Sequence, residues 1–469
     1  MLRNFIKHRV QIICIFYLLT ITVFGQSINT IRVLLSQQTV ERGLAGGEVH
    51  QYQITLAADE YLQVRVEQKG VDVVLRLVDA DGKLLASMDS PNGNAGSETL
   101  SWVAITAGVY ELQVSSLDAK AKVGNYRLKR ESSRLATAID RKRVVNERVF
   151  VEALAARDKG EQSATAKFEE ALRGWRELGE TDLVEMTAQQ IKLFRGLQAF
   201  SEGVKLYKDN TPESWQMAVR KFDEAGKIYH EAGEKAYESF CLDYAGNISN
   251  SLGERQKARE FYAAELPLVR AVGDKKVESV LLNKLGLLAS FFGEKQKALD
   301  YYTNALSLFR ELGDKSSEAV ILNNFGTIYD DLGDKQKALE FYNQALLITK
   351  ASGNKNGEAT TLGNIGSIYS GLGDKQKALE NFNQALTIFR ELGNKNYEAT
   401  TLNNIGAVYD DLGEKQKALD YYNQVLALYK ELQDKNSAAI TLNNVALVWF
   451  YLGEKAKSPR LLQSSLTYS

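Results

Sequence analysis

Asparagines recur at fixed places in the second half of the chain: Asn323-Asn324, Asn364, Asn403-Asn404 and Asn443-Asn444. The first three groups stand just before Gly326, Gly366 and Gly406, and Asp330, Asp331, Asp410 and Asp411 lie within two helical turns beyond them. A carboxamide offers both a hydrogen-bond donor and an acceptor, which matches a peptide group without choosing its side chain. The chemistry these residues suit is therefore capture of a polypeptide main chain, with the aspartates favouring basic segments. The same asparagines would also serve as a solvated helix face, or as bridges that keep adjacent units in register.

Bond-making chemistry has little to work with. The three histidines, His8, His50 and His230, are scattered, and the position of Cys241 in a repeat helix suits a small buried residue and not a Cys–His pair. No phosphate loop, nucleophile elbow or metal spacing is present, so no catalytic residue, cofactor or metal is expected. Asp79, Asp81 and Asp89 hint at calcium, but Asp-Gly steps such as Asp81-Gly82 are ordinary hairpin turns. Lys plus Arg number 58 and Asp plus Glu 59, so there is no net field to draw nucleic acid or an acidic membrane.

The asparagines sit within a repeat. Lys295, Lys335, Lys375 and Lys415 each begin Lys-Gln-Lys at a constant step of 40, shared by Gly293, Gly333, Gly373, Gly413 and Gly453. In the unit from Asp314 to Gly353, Leu322, Phe325, Tyr329 and Leu332 make one apolar helical stripe. Ala338, Tyr342, Ala345 and Leu346 make a second. Gly333 stops the first helix, and Asp334 and Asn354 are placed to cap the helices after them. Each unit is an antiparallel helical hairpin with Gly326 where its helices come nearest. Units begin near Lys235, Lys275, Lys315, Lys355 and Lys395, with a partial one near Lys435. Diverged hairpins precede them, from Val149 to Leu178 and from Asp182 to Ala232, the latter with a helix start at Thr211-Pro212-Glu213.

The order small residue, aromatic, Gly, Ala, aromatic, Ala resembles the tetratricopeptide repeat. The 40-residue unit exceeds the usual length of about 34 and is similar to the longer variety of kinesin light chains. That resemblance implies a right-handed solenoid whose first helices line a concave face. It also implies that asparagines at these places hold the backbone of an extended peptide.

Upstream, residues 30–131 alternate with a period of two, as in Tyr52 to Leu56, Leu62 to Val66 and Tyr110 to Val114. Turn pairs such as Gly46-Gly47 and Ala107-Gly108 separate the runs, which predicts a small antiparallel β-sandwich. Gly47 to Tyr52, Gly70-Val71-Asp72, Asp79 to Gly82 and Gly108-Val109-Tyr110 resemble the bacterial pre-peptidase C-terminal domain. This implies a jelly-roll-like sandwich appended to exported proteins.

Residues 1–25 place Arg3, Lys7 and Arg9 before an apolar run from Val10 to Phe24. This reads as a cleaved signal peptide, the run being shorter than the roughly 20 residues of a membrane span. A periplasmic or extracellular location is expected, with membrane contact only if the segment is retained. At the other end, one possible reverse translation of the expected Leu-Asp-Tyr-Tyr-Asn-Gln, as at Leu419 to Gln424, gives Pro459 to Ser464 when read one base earlier, which suggests a local frame slip. A diverged terminal unit would explain the proline as well.

The expected architecture is thus multidomain, β followed by all-α: a sandwich over 30–131, diverged hairpins over 132–232, and a repeat array over 233–469 with its last unit partial. The expected function is that of an exported non-catalytic scaffold for proteins or extended peptides, with Asn323, Asn324, Asn364, Asn403, Asn404, Asn443, Asn444, Asp330 and Asp410 on its inner face. The alternative is a truncated regulatory part of an exported caspase-like peptidase, which such domain combinations resemble.

Overall fold

The computed structural model describes residues 31–89, 95–131 and 133–453. The expected signal segment and the stretch from Pro459 to Ser464 lie outside the described residues. The chain divides into two compact units, Met1–Glu202 with Lys227–Gly233, and Gly203–Gly226 with Glu234–Ser469.

The first unit opens with two β-sheets. One runs β1 (Arg32–Val33), β3 (Val49–Leu56), β8 (Gly108–Ser116), β5 (Val73–Val78) and β6 (Leu84–Met88). The other centres on β4 (Glu60–Lys69), which pairs with β7 (Ala95–Val103) and β9 (Gly124–Arg130); β2 (Thr39–Leu44) lies beyond β9, and β10 (Arg134–Leu135) also pairs with β4. Alternation does what the sequence predicts. Along β9, Tyr126, Leu128 and Arg130 are buried while Asn125, Arg127 and Lys129 are exposed. Ile54, Val64, Leu75, Leu112 and Leu128 meet in one apolar core.

The same unit contains α1 (Ala138–Asp158), α2 (Ser163–Leu178) and most of α3 (Thr181–Lys208). Thr137 and Asp140 form a capping box at the start of α1, and Asp140 also receives Arg134 through two nitrogens at 2.5 and 2.7 Å. The hairpin read from Val149 therefore begins eleven positions earlier, at Ala138. Its first turns carry Arg141-Lys142-Arg143, whose charge hides the apolar period. Phe168 and Ala171 take the buried second-helix places expected of them. On α1, Glu147 Oε2 accepts the Ser101 backbone N–H of β7 at 2.8 Å, and burial pushes its carboxyl up to about 7.

The second unit is the repeat array. After α4 (Pro212–Glu231), the first helices are α5 (Lys235–Ser251), α7 (Lys275–Phe291), α9 (Lys315–Asp331), α11 (Lys355–Gly371), α13 (Lys395–Asp411) and α15 (Lys435–Tyr451). They alternate with second helices α6 (Arg255–Val272), α8 (Lys295–Glu311), α10 (Lys335–Ala351), α12 (Lys375–Glu391) and α14 (Lys415–Leu432). Asp334 accepts the Lys337 N–H and Asn354 the Gly357 N–H, as caps should. Gly333 stops α9 with φ of +82°, a backbone state that suits glycine. Leu322 and Phe325 are buried, but Leu332 is half exposed because it already belongs to the turn.

A second contact explains the helical glycines. A Cβ at Gly326 would stand 2.5 Å from the Tyr342 ring, and at Gly286 it would stand 2.4 Å from Tyr302. Each aromatic of a second helix thus lies against bare backbone of its own first helix. Packing continues across unit boundaries: Ala338, Leu339 and Tyr342 of α10 meet Ile365 and Ile368 of α11. Every inner hairpin is apolar on both sides and is completed by its neighbours.

Candidate functional site

From α7 to α13, consecutive first helices meet one another more closely than consecutive second helices do, so they occupy the shorter, inner side of the array. Asn323, Asn324, Asn364, Asn403, Asn404 and Asn444 are half-buried there and Asn443 is exposed. Ser316, Val320 and Thr327 of α9 are exposed along the same helix.

Most of these carboxamides bond to one another across unit boundaries. Asn324 Nδ2 donates to Asn283 Oδ1 at 2.9 Å, Asn364 to Asn323 at 3.4 Å, and Asn444 to Asn403 at 3.1 Å. One boundary earlier, Lys284 forms an ion pair with Asp243. Each partnership spans 41 residues, one more than the repeat, because the helical face that meets the next unit is one position out of step. Asn323 also donates to Thr361 Oγ1 at 3.0 Å. Bridging between units, one of the roles the spacing allowed, is therefore real. It leaves capacity unused, since a rung engages one amide hydrogen of the donor residue and one lone pair of the acceptor.

Three of the four aspartates, Asp330, Asp410 and Asp411, are paired with lysines. Lys335 pairs with Asp330, Lys415 with Asp410 at 2.5 Å, and Lys375 with Asp411 at 2.5 Å. A basic segment would have to compete with these lysines, which removes most of the reason to expect a basic ligand. Sequence reading also missed Asn283, Asp243, Lys284 and Gly363 as members of the same columns. Aligning the repeats on Gly286, Gly326, Gly366 and Gly406 would have placed them there.

The other candidates take structural roles. Cys241 is buried and desolvation pushes its thiol up to about 12, far from a reactive thiolate. His50 Nδ1 lies 2.7 Å from the Tyr126 hydroxyl, and burial lowers its pKa. His230 is in regular helix α4. Asp79 accepts the N–H groups of Asp81 and Lys83, which makes it a turn residue, while Asp89 is half-buried, and desolvation, then Asp72 and Glu98, push its carboxyl up to about 7. Among the described residues no group of three or more His, Cys, Asp or Glu side chains is arranged to hold a metal ion, and no helix is long and apolar enough to cross a membrane.

Four overlapping segments, 282–351, 318–391, 357–431 and 397–468, match the tetratricopeptide repeat family model. These are tetratricopeptide repeats. No curated protein matches the chain. Among solved structures, BtubC from P. vanneervenii is 22% identical, with 46% of this chain and 90% of that one covered at a TM-score of 0.42. A putative kinesin light chain from Podosopora anserina, with nearly identical TPR-like repeats, is 16% identical over 40% of this chain and 92% of its own, at 0.35. The pre-peptidase C-terminal domain of a Bacillus anthracis collagenase is 20% identical over 23% of this chain and all of its own, at 0.20.

Proposed function

We propose that the chain is a non-catalytic scaffold that holds an extended segment of another protein along the inner face of its tetratricopeptide repeats. The observation that carries this reading is the line of half-buried carboxamides on successive first helices. Those that form rungs keep hydrogen-bonding capacity once the rung is made. Tetratricopeptide arrays serve as protein-interaction scaffolds, and of the side chains considered for bond-making chemistry here Cys241 is buried and Asp79 is committed to a turn.

The scaffold acts outside the cytoplasm in this reading, exported by the basic and apolar start of the chain. The β-sheet region, with its pre-peptidase-like turns, serves as its docking or targeting module. Asp330 and Asp410 contribute as polar, lysine-paired edges of the groove.

Site-specific photo-crosslinking in the exporting host tests the site. A crosslinker at Thr327 or Ser367, both exposed on first helices, should capture a partner polypeptide, whereas one at Gln344 or Gln384 on the outer helices should not. Capture from the outer positions alone would defeat the proposal. N-terminal sequencing of the secreted chain tests export, with a start near Gln26 expected.

A further inference from the structure

We propose that α1 is a proton-dependent clasp on the open edge of β7, closed while Glu147 is neutral and released when that carboxyl ionises. Among the described residues β7 pairs with β4 alone, so one of its sides has no neighbouring strand. Such an edge is bare in its backbone donors unless something covers it. Helix α1 does so here. Glu147 Oε2 accepts the Ser101 backbone N–H at 2.8 Å, the bond that a further strand would otherwise make. The seam is dry at this point, with Glu147 7% and Ser101 2% exposed. Ser101 is held from β4 as well, its Oγ accepting from the Tyr61 hydroxyl at 3.1 Å. One turn further along α1, Val151 packs against the β core.

The groups around Glu147 leave its charge poorly compensated. Arg143, one turn earlier on α1, is already paired with Glu180 just before α3, and Glu180 repels a second carboxylate. Asp140, a further turn back, is held by Arg134 of β10. From β4 the facing titratable group is the Tyr61 phenol. Along β7 the one acid, Glu98, accepts from Gln68 at 3.4 Å. Desolvation therefore dominates and pushes the Glu147 carboxyl up to about 7, with the Ser101 bonds and Arg143 offsetting it only in part. Helix α1 also touches β6, and a second acid stands there. Asp89, just past β6, is pushed up to about 7 by desolvation and then by Asp72, Glu98 and Asp158 of α1, against Arg157. Both contacts of α1 with the sheets thus favour a protonated acid.

Opening the seam returns Glu147 to water, where its carboxyl titrates near 4.5, against about 7 when the seam is closed. The proton is bound more tightly in the closed state. The clasp is therefore at full strength below 4.5 and weakens as pH rises through 7. From about pH 6 to about pH 8 the closing equilibrium falls roughly tenfold through Glu147 alone. Asp89 acts in the same direction. Release bares the β7 edge, whose freed N–H groups can accept an added strand.

The test uses the full chain and amide hydrogen exchange, with each rate corrected for the intrinsic pH dependence of exchange. From about pH 6 to about pH 8, protection of the Ser101 amide and of the α1 amides around Glu147 should fall roughly tenfold, while that of β3 and β8 stays level. Glu147→Gln keeps the shape without the charge and should leave only the part of the fall due to Asp89. Protection of α1 and β7 that does not change with pH would overturn the clasp, as would a Glu147→Gln variant that keeps the full fall. An equal fall in β3 and β8 would mean that the whole unit opens, and overturns it too. Should Glu147→Gln fail to fold, the Ser101 amide resonance of the parent chain decides, because it reports its Glu147 acceptor. A titration midpoint near 7 supports the clasp, and one near 4.5 overturns it.

Discussion

Gly363 and Gly366 lie one helical turn apart in α11, and replacing each by alanine separates two opposing effects. Alanine in a helix interior is favoured over glycine by about 0.5–1 kcal/mol. At Gly363 the new methyl meets no atom within 4 Å, so that gain should be undiminished. At Gly366 the methyl would stand 2.8 Å from Cδ1 and Cε1 of Phe382, which is itself only 2% exposed. A ring so placed cannot swing into solvent, and overpacking of this sort costs about 1–3 kcal/mol. The helical gain is common to both variants and cancels in their difference. Gly366→Ala should therefore be less stable than Gly363→Ala by about 1–3 kcal/mol. Stacked repeats need not unfold as one unit. The suitable assay is hydrogen exchange of the α11 and α12 amides, supported by urea unfolding of the full chain. Equal stabilisation by both changes would refute the idea that glycine is kept at 366 to admit the ring.

Buried and capping groups give three further expectations. Glu265 occupies the place of Ala305, Ala345 and Ala385, is 1% exposed, has Oε2 buried without a partner, and has its carboxyl pushed up to about 8 by desolvation and then by Asp243. Because the unfolded chain ionises first, near 4.5, stability is full below that pH and falls as pH climbs towards 8, by at most about 5 kcal/mol. Glu265→Ala should flatten this slope in urea midpoints taken between those limits, and a variant that tracks the parent at every pH would contradict the assignment. Thr137→Ala removes the capping hydroxyl of α1 and should lower the stability of the first unit by about 1 kcal/mol, read from exchange of the first-turn amides. Cys241 should resist alkylation in the native chain and react on unfolding; rapid labelling under native conditions would mean that α5 opens readily.

Much of the array was legible because the chain carries its own alignment. A step of 40 locates the hairpins, and Asp334, Asn354 and Gly333 announce their ends through chemistry that acts within a few residues. The same holds for β9, whose alternation translates directly into burial. The start of α1 was hidden because its first turns carry Arg141-Lys142-Arg143 and its stability comes from the Thr137 cap and from contact with β7. Sheet order could not be read, since β3 lies beside β8 and β5 beside β8 through pairings that no local pattern encodes. The inner-face columns were found, but not their partners. A rung joins residue 283 to 324 and 323 to 364, an offset that arises only when neighbouring helices are stacked. The same offset turns Gly363 from an unremarked residue into the one break in the series.

The central claim is that an extended segment lies along the first helices, and the footprint of a bound peptide tests it most directly. Hydrogen exchange and side-chain amide resonances of the full chain should be compared with and without a peptide selected on it. Perturbation concentrated on α9, α11 and α13, with Asn364 and Asn404 among the affected carboxamides, is the predicted result. Perturbation confined to α10, α12 and α14, or to the β-sheets, would contradict it.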